Sequence, residues 1–141
     1  MALIIDLKPS ERVIIGNALI TNDDARTRLH IEGDAPILRE KDIMQPEEAN
    51  TPARRVYFPV MMMYLDEETA NIYYSQFAMC MTEFMDAIKD RQALALCVDI
   101  SKDVMTGAYY KALTKCKTLF DFEQERLNHG IDGVSKSAAR G

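Results

Sequence analysis

The sequence is poor in the residues that enzyme chemistry most often needs. Its two histidines, His30 and His129, lie far apart in the chain, and neither falls in a Cys/His/Asp pattern that would build a nucleophile or a metal site. GxGxxG, P-loop and HExxH motifs are absent. The carboxylate pairs Asp23-Asp24, Glu47-Glu48 and Glu67-Glu68 fall at turns or helix starts, where capping and solvation account for them. No catalytic residue, metal or cofactor is therefore expected, and the chain does not read as an enzyme. The three cysteines, Cys80, Cys97 and Cys116, form an odd set without a CxxC pair, each inside an apolar helical pattern. That pattern points to reduced, buried thiols in a cytoplasmic protein. No apolar run approaches the roughly 18 residues of a membrane span, and the short N-terminal run has no basic start, so neither a span nor a signal peptide is expected. Basic residues are outnumbered, 17 to 22, for a net charge of −5. This balance opposes non-specific attraction to phosphate backbones or anionic membranes, so any nucleic-acid contact must be local.

What is present divides by period. The 141 residues, 48% of them hydrophobic, suffice for one core. Residues 1–44 read as about five short strands. "ALIIDL" is followed by a turn at Pro9-Ser10, and the apolar runs flanking Gly16-Asn17 form a two-residue hairpin signal. "RTRLHIEG" alternates as a strand with one wet face, and "ILREKDI" is read as the last strand, with Ile37 and Ile43 turned to the core. From residue 45 the spacing becomes helical. Thr51-Pro52 is a capped helix start, Pro59 predicts a kink or break, and Asp66 caps a second helix. Tyr73, Phe77, Cys80, Phe84 and Ile88 form one seam; Leu94, Cys97, Ile100 and Val104 another; Tyr109, Leu113, Cys116, Phe120 and Leu127 a third. The expectation is an α+β chain: a small antiparallel sheet (1–44), then an antiparallel helical bundle (45–127) packed with it as one unit, and a flexible tail (128–141).

Two features exceed local structure. Met61, Met62, Met63, Met79, Met81 and Met85 are too many for one narrow seam. They either fill an irregular core or form a second apolar face, with Met63, Met81 and Met85 as the candidates to meet a partner helix. Arg54-Arg55 opposes the dipole at a helix start, which an ion pair with Glu47 or Glu48 would explain. A sheet of 44 residues also has edges to cover, which predicts a homo-oligomer.

The segments "LKPSERVIIGNALITN" and "APILREKDIMQPEEANTPARRVYF", with the aromatic-rich helices after them, resemble the FlbT family of flagellar regulators over most of residues 1–127. The resemblance implies a post-transcriptional regulator of flagellin synthesis that acts on the flagellin messenger leader, typically as a repressor that destabilises the message, with activation also associated with the family. Pro59 departs from the family's ordinary apolar residue at that place. More weakly, "MALIIDLKPSERVIIG" is similar to the start of the carbon storage regulator family of messenger-binding proteins. Ser10-Glu11 stands where that family has Gly-Glu, and "DAP" followed by "LREKDI" resembles its last turn and strand. That match implies Arg39 as an RNA reader and Ile5 as an apolar contact, with Lys8 retaining half of a basic pair whose other half is Leu7. A strip of Arg39, Lys41, Lys8 and Arg28, diluted by Asp6, Glu40 and Asp42, would then meet single-stranded RNA. On this reading Arg39→Glu abolishes RNA binding without moving the thermal midpoint. The other reading is a protein-interaction module whose helices bind flagellin or a companion flagellar regulator.

Overall fold

The computed structural model describes residues 2–140, with side chains through Arg126. The expected tail at 128–141 lies outside the residues described with side chains.

Five antiparallel strands come first: β1 (Ala2–Leu7), β2 (Arg12–Ile15), β3 (Ala18–Thr21), β4 (Thr27–Glu32) and β5 (Ile37–Arg39). They divide into two ladders, β1 with β4, and β3-β2-β5 with β2 central. A tight turn carries the chain from β1 in one ladder to β2 in the other. Pro9 occupies its second position and Ser10 its third at φ 64°, and the Glu11 N–H closes it on the Lys8 carbonyl at 3.1 Å. Ser10 thus occupies the left-handed region that favours glycine, at the place where the weaker resemblance has one. Gly16, also at φ 64°, opens the two-residue hairpin between the paired Ile15 and Ala18.

Alternation along the strands builds a layered core. Ile5 and Leu7 of β1 and Val13 of β2 form one small buried cluster, with Ile15, Leu29, Ile31 and Ile37 packed around it. The opposite face of β2 and β5 carries Ile14 and Leu38, which join the main core among the helices. Leu38 is therefore the deeply buried residue of β5, at 1% exposure, while Ile37 and Ile43 are only partly covered. The last strand is also shorter than its sequence suggests. It stops at Arg39, and Glu40–Asp42 turns as a 3-10 segment.

Four helices follow: α1 (Pro52–Leu65), α2 (Ala70–Ala87), α3 (Arg91–Met105) and α4 (Tyr109–Arg140). The Thr51 side chain accepts the Arg54 N–H at 3.2 Å, and Asp90 accepts from Gln92 and Ala93 at the start of α3. Asp66 caps a 3-10 turn, Glu67–Thr69, that feeds α2. As α1 advances through Ala53, Tyr57 and Tyr64, its partners on α4 recede through Glu123, Phe120 and Tyr110, so the two helices run antiparallel. Phe77, Phe84, Ile88, Cys97, Ile100, Val104, Leu113 and Cys116 are buried, as their spacing predicts. Burial pushes the Cys97 thiol up to about 11 and Cys116 upward as well, so both are inert, apolar core residues.

Pro59 neither ends nor divides α1. The helix runs through it, and the proline ring is fully buried. Packing against α2 and α4 outweighs the missing N–H, a defect of about 3 kcal/mol in isolation.

Candidate nucleic-acid interface

Arg39 stands at the end of β5 opposite Val13 of β2, on the face turned toward β1. Its Nη2 donates to the Asp6 carbonyl at 2.6 Å and to Glu11 Oε2 at 3.2 Å. One guanidinium therefore joins the end of β1, the start of β2 and the end of β5. Glu11 is fixed from the other side, since its Oε1 accepts the Lys8 N–H at 2.8 Å. That backbone hydrogen bond first, and Arg39 second, hold the Glu11 carboxyl below its usual range.

Around this staple lies an open cleft whose lining includes Lys8, Arg26, Arg39 and Lys41 together with Asp6, Glu11 and Glu40. Three of the basic residues expected from the sequence do meet here. Arg28 does not line the cleft; it lies on the outer face of β4 and pairs with Asp6 at 2.8 Å, which lowers the Asp6 carboxyl by hydrogen bond and charge. Ile5 is buried at 2% exposure in the small cluster with Leu7 and Val13, so it offers no surface for a base. Arg26 was missed, because in the sequence it belongs to the "NDDAR" turn and nothing local sets it beside Lys8.

Lys41 also lines a second cleft, shared with Asp42, Glu48, Arg54 and Lys117. Tyr57 positions this region by donating from its hydroxyl to the Asp42 carbonyl at 2.8 Å, and Lys117 of α4 pairs with the Asp42 carboxylate. The expected ion pair of Arg54 or Arg55 with Glu47 or Glu48 does not form among the described residues. Glu48 instead accepts the Gln45 N–H at 2.9 Å, and Arg54 Nη1 reaches only Asn50 Oδ1, at 3.4 Å.

The charges of the two clefts are unevenly matched. Asp6 is paired with Arg28, Glu11 with Arg39, Glu40 with Arg12 at 3.2 Å, and Asp42 with Lys117. Lys8, Arg26, Lys41 and Arg54 form no ion pair among the described residues. The carboxylates that dilute the strip in sequence, Asp6, Glu40 and Asp42, are thus already paired in space, and the surplus in the first cleft is cationic; in the second, Glu48 keeps its charge without an ion pair among the described residues. Such a surface suits phosphates at several successive positions.

The methionines resolve the other way. Met63 is fully buried and Met81 is 4% exposed, both in the main core, and Met85 is half-buried against it. Irregular core filling accounts for them; among the described residues the exposed methionines are Met79 and Met105. Among the described residues no helix is long and apolar enough to cross a membrane.

Comparison with known proteins agrees with the motifs. Residues 3–127 match the family model "Flagellar protein FlbT". The chain is 46% identical over 141 residues, the full length of both proteins, to the "Flagellum biosynthesis repressor protein FlbT" of Caulobacter vibrioides. It is 48% identical over 129 residues to a probable repressor of the same name from Caulobacter sp., covering 92% of this chain and 98% of the other. A probable FlbT of Rhodopseudomonas palustris is 41% identical, covering 91% and 99%. No solved structure matches. The chain belongs to the FlbT family of flagellar proteins.

Proposed function

We propose that this protein is a cytoplasmic post-transcriptional regulator of flagellin synthesis, which binds the single-stranded leader of flagellin messenger RNA and represses its translation or destabilises it. Family membership supports a regulator of flagellum synthesis, and the relatives' name supports repression as the sign. The observation that carries RNA contact is the unpaired set Lys8, Arg26 and Lys41 in one cleft whose carboxylates already have partners. This arrangement reconciles a net charge of −5 with a local phosphate site. Arg39 shapes the cleft and keeps 38% of its side chain exposed, which offers a guanidinium on which a base can stack.

A second copy of the chain fits this reading. All four residues of β3 are exposed, and β3 is an unpaired edge of its sheet. Pairing there would cover the edge and join two clefts in one particle, and an RNA long enough to reach both would be held more tightly without new contacts. The test is a gel-shift of the purified protein with flagellin leader RNA across a salt series. Binding should weaken steadily as salt rises. Absence of binding at low salt, or binding indifferent to salt, refutes direct phosphate contact.

A further inference from the structure

A third cleft has the opposite electrostatic character. It opens where the end of α1, the start of α4 and the loop before β5 meet, and offers about 640 Å³ of solvent-open space. Tyr64, Tyr109 and Tyr110 line it, with Asp34, Asp66 and Glu67 at its rim and Lys111 as its one cation. The Tyr64 hydroxyl accepts the Ile37 N–H and donates to the Ile37 carbonyl, each at 3.0 Å, so its ring is held against β5. The Tyr110 ring rests on it, centroids 5.4 Å apart and tilted by 47°, yet remains 55% exposed. An aromatic side chain is thus held in place beside Tyr64 and left more than half exposed.

The carboxylates here are not consumed as they are beside Arg39. Asp34 and Glu67 form no ion pair among the described residues, and Asp66 spends one oxygen on the Glu68 N–H. Three carboxylates against one ammonium repel phosphate. The same carboxylates beside an aromatic face attract a cation that can stack and donate at once. Guanidinium fits both requirements, because its flat face stacks on a ring while its edge donates two parallel hydrogen bonds.

We propose that this cleft binds an arginine side chain in an extended segment of a partner protein, with the guanidinium on Tyr110 and its edge toward Asp34 and Glu67. The site is distinct from the cationic clefts, so protein and RNA can be bound together. The volume exceeds one side chain, which leaves room for the neighbouring backbone.

Full-length protein with labelled tyrosine rings tests this by titration with a short Gly/Ser peptide carrying two arginines, and with the same peptide carrying neutral citrulline. The arginine peptide should shift the Tyr64 and Tyr110 signals saturably, and citrulline should weaken binding by about tenfold or more. Tyr110→Leu, which keeps apolar bulk at an exposed position, and the double change Asp34→Asn with Glu67→Gln should each cause a loss of similar size. Asp23→Asn with Asp24→Asn, outside the cleft, should cause none. Three results overturn the proposal: no shift of these tyrosines, an equal loss in the Asp23/Asp24 control, or a single-stranded RNA that shifts the same tyrosines when the peptide does not.

Discussion

Replacing Arg39 and Lys41 one at a time should separate a structural cation from an electrostatic one in the same cleft. Arg39→Gln removes the hydrogen bonds to the Asp6 carbonyl and Glu11 Oε2, and leaves Glu11 without its arginine. A hydrogen bond to a charged group contributes roughly 1.5–3 kcal/mol when sheltered. With the Arg39 side chain 38% exposed and Glu11 16% exposed, water screens part of this. A net loss of about 1–2 kcal/mol follows, a fall in the thermal midpoint of roughly 3–8 °C for a chain of this length. Lys41 is exposed and unpaired, so Lys41→Gln should change stability by no more than about 0.5 kcal/mol. Its effect belongs to RNA: the slope of log affinity against log salt should flatten by about 0.7 if one phosphate contact is lost. Neutralising Lys8, Arg26 and Lys41 together should flatten it by about 2. Thermal unfolding and filter binding at several salt concentrations measure both quantities on the same preparations. An unchanged midpoint in Arg39→Gln refutes the staple, and an unchanged slope in the triple variant of an RNA-binding chain refutes the cationic surface. The sequence-based expectation that Arg39→Glu would spare the fold is set aside on the same grounds, because a carboxylate there would face Glu11.

Three further outcomes follow from the geometry. Pro59→Ala restores an N–H for the Arg55 carbonyl, worth about 3 kcal/mol, and gives up roughly 2 kcal/mol of buried ring, so denaturant unfolding should show a net gain near 1 kcal/mol. Ser10→Gly relieves a left-handed serine and should raise stability by about 0.5–1 kcal/mol; a loss would mean that the turn tolerates serine without strain. The carboxyls of Glu11 and Asp6 are held below their ordinary values of 4.5 and 3.8, so the stability they add is present above those values and lost as pH falls through the lowered ones. The midpoint should therefore be flat from about pH 5 to about pH 8 and decline below that window, with a shallower decline in Glu11→Gln.

Local pattern made most of the elements legible. The Gly16-Asn17 hairpin, the Thr51 cap and the seam through Phe77 and Phe84 each follow from rules that act within a few residues, and all three occur in the structure. Where the reading slipped, a distant partner decided. Alternation alone did not say which of Ile37 and Leu38 faces the helices, because both are apolar and the register is set by pairing with β2. Pro59 read as a breaker because its defect is local, whereas the packing that absorbs it comes from other helices.

The candidate surface divides in the same way. Sequence by itself determined the family, the α+β order and the presence of basic residues among acidic ones near Arg39. Tertiary structure alone decided which of those charges are spent. Asp6 meets Arg28 across a ladder, Glu40 meets Arg12 across 28 positions, and Asp42 meets Lys117 across 75. Charges interact through space within a few ångströms, and spacing along the chain says little about such distances. Folding therefore turns a mixed stretch of sequence into one structural arginine and a short row of unpaired cations.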